Sequence, residues 1–421
     1  MKWKRDALLQ QIAETGRKST VFFLTGRADE QRVGFGRGRP EVVVYAETGT
    51  GFFVESDKIV TTIEVLAGAI AVVAIPGERF TKAVAHNAVQ LLCEGNEHQV
   101  TEGIVVNIEG VTAFDAKNNL VLLKIAETGA PLPLENSDNV QIGEKVYTLG
   151  YQDDLRYKGA AGTLESRYKD DKWMQIKTRF SSGNGGGPLL NSESEVVGVA
   201  AYGTGSVSGG DTATIATVIS SNVLKELLAH SGEVMPLDRF QKDSQVYAYA
   251  LEAQATEKAE RYDNRRAIKN YNAALKLNPD LVEIYSRRGI VKSRIGDMKS
   301  ALRDFNKMLR INPAHIFAYN NRASAKAHLE DAPGALDDIN RAIALDPEYV
   351  MGHVNLGGIK LGIAITKMDA DDFVEAAQYY QEAIDAYIKA LGLDRKNPIA
   401  RKHLKDAKFM LQSLKTLREI E

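Results

Sequence analysis

Few residues in this chain have types and spacing that would do chemistry on their own. Cys93 stands near His86 and His98, and a thiol beside an imidazole is the raw material of a nucleophilic dyad. Sequence neighbours seldom converge that way, so no such dyad is expected. The segment GFGRGRP at 34–40 combines glycines with arginines, but it lacks a following helix and a GK[ST] ending, so a hairpin is expected there and not a phosphate loop. Asp369, Asp371, Asp372 and Glu375 lack the twelve-residue spacing and central glycine of a calcium loop. An aspartate capping a helix that starts near Phe373 accounts for them. Zinc-ligand spacing is absent, and the chain is expected to hold no metal and no cofactor. The densest remaining signal is SGNGGGPLLNSESEVVGVAAYG at 182–203.

The elements that must position these residues divide the chain in two. Its 421 residues suggest two or three domains, and 44% apolar with 26% charged residues is a globular composition. The longest uncharged apolar run, at 65–76, is broken by Gly68 and is too short to span a bilayer, so no membrane partner is expected. The N-terminus lacks the apolar core of a signal peptide, and the single Cys93 has no internal disulfide partner. These features point to a cytoplasmic protein. Net charge is -2, distributed as +5 over residues 1–40, -11 over 41–240 and +4 over 241–421. The acidic middle and the lack of a recognition motif argue against nucleic-acid binding.

Residues 1–18 read as a basic helical segment. Between 19 and 231 the apolar residues come in short β-branched bursts, such as VFFL at 21–24, KIVTT at 58–62, LVLLKI at 120–125 and VVGVAAYG at 196–203. Many short strands at this spacing indicate a barrel or sandwich. Leu224, Leu227 and Leu228 then mark a helix over 221–230, and residues 232–245 read as a linker. From Val246 the period becomes helical. Asn278-Pro279, Asn312-Pro313 and Asp346-Pro347 recur every 34 residues, with Ala267, Ala301 and Ala335 and then Tyr271, Phe305 and Ile339 in register. This is the tetratricopeptide (TPR) pattern of paired antiparallel helices. Repeats are placed at 248–281, 282–315, 316–349 and 350–395, the last carrying an insertion of roughly 14 residues by this alignment. A capping helix is expected over 398–421. The repeat pattern points to groove positions Tyr249, Glu252, Thr256, Glu260, Glu283, Ser286, Ile290, Arg294, Phe317, Asn320, Ser324 and His328 for binding another protein. The lysines of a carboxylate clamp are missing, with only Asn321 in place.

The segment at 182–203 resembles the GNSGGPL signature of trypsin-like serine proteases, especially their bacterial HtrA-like branch. GFFVESDKIVTTIEVLAG at 51–68 and TAFDAKNNLVLLKI at 112–125 resemble that family's histidine- and aspartate-bearing segments, in the family's chain order. TATIATVISSNVLKELL at 212–228 matches its final strand and helix. The resemblance implies two packed six-stranded β-barrels over 19–231, with Cys93 and the two histidines in a strand and loops of the first barrel.

Residue by residue, Glu64 stands where the family has its histidine, Asn119 where it has its aspartate, and Gly185 where it has its serine. Attack, proton transfer and orientation all need those side chains, and Gly185 has none. The resemblance therefore implies a pseudoprotease. Asn119 relieves the repulsion of a second carboxylate and can offer its amide N–H to the Glu64 carboxylate, leaving a small pocket for a cation or amine or simply a filled barrel interface. Gly183, Asn184, Gly185 and Gly186 form the vestigial oxyanion loop, which can still hold a peptide carbonyl. The expected function is protein binding, as an adaptor or scaffold in a bacterial regulatory, stress or defence assembly. The alternatives are a peptidase with a non-standard nucleophile and a barrel that regulates its own TPR groove.

Overall fold

The computed structural model describes residues 7–31, 41–93, 104–151, 155–168, 170–180, 182–204, 214–260 and 262–418. The chain forms two compact units, residues 1–260 with 269–281, and residues 261–268 with 282–421.

The first unit opens with α1 (Ala7–Arg17), β1 (Thr20–Gln31), β2 (Glu41–Glu55), β3 (Lys58–Thr62), α2 (Ile63–Leu66), β4 (Ala71–Pro76), α3 (Lys82–Cys93), β5 (Ile108–Asp115) and β6 (Leu120–Ile125). The six strands form an antiparallel sheet in the order β4-β1-β2-β3-β6-β5. A closed barrel follows, built from β7 (Lys145–Tyr151), β8 (Tyr157–Tyr168), β9 (Trp173–Thr178), β10 (Pro188–Leu190), β11 (Val196–Thr204) and β12 (Thr214–Ser220). One core serves both β-structures: Phe52, Val60, Leu120 and Leu122 of the sheet pack with Tyr147, Leu149, Leu190 and Val199 of the barrel. α4 (Ser221–Ala229) buries Val223, Leu224 and Leu227 in the same core.

Two expectations change here. Cys93 and His86 lie on helix α3, not in a strand, because Ala85, Ala88 and Leu92 recur at helical spacing and bury that face against Phe22 and Leu24. The His86 ring is engaged by Lys82 O at 2.7 Å; His98 and the segment at 34–40 fall outside the described residues. The stretch expected as a linker carries structure too. Met235 exchanges both backbone hydrogen bonds with Val111, at 2.7 and 2.8 Å, which occupies the free edge of β5. In α5 (Leu237–Gln241), Phe240 is fully buried and stands edge-on to Phe114. Its glycine, proline and charges conceal a backbone pairing at Met235 and an apolar anchor at Phe240. The unit ends with α6 (Ser244–Glu260) and most of α7 (Asn264–Leu277).

The second unit contains α8 (Val282–Arg294), α9 (Met298–Ile311), α10 (Ile316–His328), α11 (Ala332–Leu345), α12 (Val350–Asp369), α13 (Phe373–Leu393) and α14 (Pro398–Arg418). Small residues recur where helices cross. A Cβ on Gly289 would stand 2.6 Å from the Phe305 ring. The hairpins α8–α9 and α10–α11 also each contain a buried ion triplet. Asp304, 3% exposed, accepts from Arg288 Nε at 2.9 Å, Arg288 Nη2 at 2.5 Å and Lys292 Nζ at 2.8 Å. The same triplet returns 34 residues later as Asp338 with Arg322 and Lys326. A buried carboxylate is tolerable only with such partners, and removing one partner leaves an uncompensated charge.

The insertion in the fourth hairpin forms no loop. α12 and α13 have 20 and 21 residues where α10 and α11 have 13 and 14, so each helix has gained seven. Seven residues are nearly two full turns, which keeps the packing face and lets both helices lengthen in step. The added turns pack Met368, Phe373 and Ala376 against Leu411 and Leu414 of α14. Asp372 caps α13 by accepting the Glu375 N–H at 3.1 Å.

His315 caps α10 with an imidazole. Its Nδ1 accepts the Ala318 N–H at 3.1 Å, and the residue is 4% exposed. Burial pushes its pKa down to about 4. The unfolded chain then takes up this proton near pH 6.5 and the folded one only near 4, so stability falls as pH drops through that window and levels off below it. The expected loss in this unit is about 3 kcal/mol, readable in chemical denaturation at pH 7 and pH 4. His315→Asn, which keeps a capping oxygen, should flatten the dependence. In the same assay at pH 7, Asp304→Ala should cost about 3 kcal/mol.

Candidate functional site

The three positions aligned with a protease triad sit on α2, on the turn before β6 and in the loop before β10. Asn119 is 2% exposed and has φ of 58°, a left-handed conformation that asparagine tolerates better than most residues. From there it serves the start of α2 twice. Its backbone O accepts the Ile63 N–H at 3.2 Å, and its Oδ1 accepts the Glu64 N–H at 3.3 Å. The amide oxygen is engaged here because the first N–H groups of a helix need acceptors. Glu64 itself is half-buried. Arg27 fixes the other end of α2, donating to Glu64 O at 2.6 Å and to Ala67 O, while its Nε pairs with Glu47 at 2.5 Å.

The glycine loop is held from the sheet side by Thr50 of β2. The Thr50 N–H donates to Gly185 O at 2.8 Å, and its Oγ1 donates to Gly183 O at 2.6 Å and accepts the Tyr151 N–H at 3.1 Å. Thr61 Oγ1 completes the node by donating to Thr50 O at 2.8 Å. On the barrel side, Gly186 N–H donates to Ala200 O at 2.7 Å and Ala200 N–H to Gly187 O at 2.8 Å. Gly186 has φ of +82°, and a Cβ there would stand 2.1 Å from Thr50 O; on Gly183 it would stand 2.0 Å from Tyr151 O. The loop therefore requires glycine at both positions for packing alone. Asn184 is 1% exposed, and neither amide atom has a hydrogen-bond partner among the described residues.

Helix α6 reaches the corner that holds positions 64 and 119. Tyr249 Oη donates to Ala116 O at 3.1 Å, Asn278 Nδ2 donates to the same oxygen at 3.2 Å, and Ala250 lies against Gly68. Gln241 Nε2 adds bonds to Leu66 O at 3.2 Å and Ala69 O at 2.9 Å. Tyr249 and Glu252, expected in a partner groove, are instead 4% and 7% exposed. Burial raises the Tyr249 phenol well above its ordinary pKa, and the nearby Glu252, Glu64, Asp115 and Asp280 carboxylates reinforce this.

The other expected groove positions divide by exposure. Glu283, Ser286 and Asn320 are buried, Thr256, Phe317 and Ser324 are half-buried, and Ile290, Arg294 and His328 are exposed. The Glu260 side chain lies outside the described residues. Asn320 Oδ1 accepts from Asn355 Nδ2 at 2.8 Å, tying α10 to α12. Thr50 and Arg27 carry no motif that would have marked them in the sequence. Thr50→Val keeps the shape and strands two buried polar groups, Gly183 O and the Tyr151 N–H, so it should cost about 2–4 kcal/mol of unfolding free energy. A shift below 0.5 kcal/mol in denaturant titration would remove Thr50 from this role.

Residues 49–199 match the trypsin-like peptidase domain family, and residues 263–296 match a TPR repeat family. Among curated proteins, the probable periplasmic serine endoprotease DegP-like of Chlamydia muridarum is 26% identical over 200 residues, covering 44% of this chain and 34% of that protein. Human serine protease HTRA4 is 32% identical over 102 residues, covering 21% of each. The match thus spans about a third of the length of the DegP-like relative. The active form of the Rv3671c protease from M. tuberculosis aligns at 17% identity over 55% of this chain and 88% of that one, with a TM-score of 0.39. No described helix is long and apolar enough to cross a membrane. The chain therefore carries a trypsin-like, HtrA-like peptidase domain in its N-terminal half, followed by a helical region with a TPR repeat.

Proposed function

We propose that this protein is a catalytically inactive trypsin-like/TPR adaptor or scaffold that binds other proteins in a bacterial regulatory, stress or defence assembly. The observation that carries the reading is Gly185, which puts a bare backbone at the nucleophile position of a loop otherwise held in place. Acyl transfer by this fold needs an attacking oxygen and a base aligned with it. Asn119 carries an amide and no carboxylate with which to orient an imidazole, and its oxygen atoms accept N–H groups at the start of α2. The TPR repeat supplies the binding surface, with Ile290, Arg294 and His328 among its exposed positions. We place the protein in the cytoplasm because its single cysteine supports no internal disulfide; cell fractionation checks this.

Two results test the reading. The full chain should leave unfolded casein intact and take no label from a fluorophosphonate probe, and Gly185→Ser alone should stay unlabelled because Glu64 stands where the base belongs. Labelling of the unaltered chain would favour a peptidase with another nucleophile. A tagged pull-down from native lysate should recover a near-stoichiometric protein, lost on changing Ile290 and His328 together.

A further inference from the structure

The end of the helical unit carries two surfaces of opposite charge, each with exposed apolar residues at its centre. On α14, Ala400, Leu404, Ala407, Leu411 and Leu414 face α13 and the core. The opposite face presents Lys402, Lys405 and Asp406 around Phe409, with Lys408 at its flank; all are exposed, and Phe409 is 70% exposed. Phe409 lies seven residues after Lys402 and four after Lys405, which places all three on one stripe. The second surface is the two-turn extension of α12 and α13. It carries Asp369, Asp371, Asp372 and Glu375, the last two paired with Lys367 at 3.8 and 2.5 Å, with Ile365 and Val374 exposed at 48% and 58%.

We propose that a second copy of this chain covers α14, through an antiparallel two-fold contact centred on Phe409. Three features argue for this occupant. The charges are complementary, a lysine stripe and an acidic tip on the same unit. Their placement along the helix is self-complementary: Leu411 and Leu414 put the C-terminal half of α14 beside the tip, while Ala400 and Leu404 put the lysine-bearing half against Tyr387 and Ala390 at the far end of α13. An antiparallel partner thus brings each lysine stripe to the other copy's acidic tip. Phe409 also falls near the middle of the 21-residue helix, where a two-fold axis sets it against its own counterpart, as an isologous interface requires. The inference concerns assembly and holds whether or not the barrel hydrolyses anything.

The test is sedimentation equilibrium of the full chain from 0.5 to 100 µM. The expected result is a mass of twice the chain, reverting toward one chain as salt rises, because exposed charge pairs are screened. Phe409→Asp should yield a monomer with unchanged circular dichroism. Lys402→Glu with Lys405→Glu should weaken dimerisation at least tenfold, and adding Asp369→Lys with Glu375→Lys should restore it. A monomeric unaltered chain throughout the range, or a dimer untouched by Phe409→Asp, or no rescue by the fourfold charge exchange, would each overturn the proposal.

Discussion

The β-half of this molecule depends on Thr50. One residue joins the open sheet to the closed barrel by donating two hydrogen bonds into the glycine loop, accepting one from β7, and receiving Thr61 on its own carbonyl. Buried polar groups this close together must be mutually satisfied, since each orphan would cost about 1–3 kcal/mol. The node also dictates the loop's sequence. Backbone approaches of this kind leave no volume for a Cβ at 183 or 186. The glycines are thus required by the joint between the β-structures, independently of any substrate, and none of these bonds uses a side chain at 185. A fold can keep the signature of a catalytic loop for reasons of packing alone.

The corner around positions 64 and 119 obeys a related constraint. α2 is only four residues long, so nearly all its backbone groups are end groups without partners inside the helix. Asn119 satisfies two of its N–H groups, and Arg27 satisfies the Glu64 carbonyl and that of the capping residue Ala67. An aspartate at 119 would serve the N–H groups equally well, so capping does not explain the amide. Burial does, in part: at 2% exposure a neutral side chain avoids the desolvation cost of a charge.

Much of this was legible in the sequence, and the gaps have identifiable causes. The 34-residue period fixed the helix starts at Val282, Ile316 and Val350, because helix pairs must meet through the same small residues each time. The 14 extra residues were visible as an interruption. Their division into seven per helix was not, since periodicity alone does not say where an insertion is absorbed. Helix α3 departs from the strand and loops that the family resemblance implies at this place, although Ala85, Ala88 and Leu92 recur at helical spacing. Tyr249 misled for a different reason. Repeat register gives the helix face a residue occupies, but not which surface that face meets, and here Ala116 of the β5–β6 turn meets it.

That contact also accounts for how the first hairpin differs from the next two. Hairpins α8–α9 and α10–α11 are clasped internally by an aspartate held between an arginine and a lysine. At the equivalent positions 34 residues earlier the first hairpin has Gln254 and Asn270, joined by one neutral bond of 3.4 Å. Such a bond is a weak clasp compared with a bidentate guanidinium–carboxylate pair. The hairpin instead takes its geometry from outside, through Tyr249 and Asn278 donating to one carbonyl oxygen, Ala116 O, and through Ala250 against Gly68. Two donors, one on α6 and one just past the end of α7, share that acceptor and so set the separation of the two helices. The sequence repeat therefore continues through the first hairpin while its stabilising interaction changes: α6 and most of α7 belong to the β-unit, and the ion triplets begin only after them.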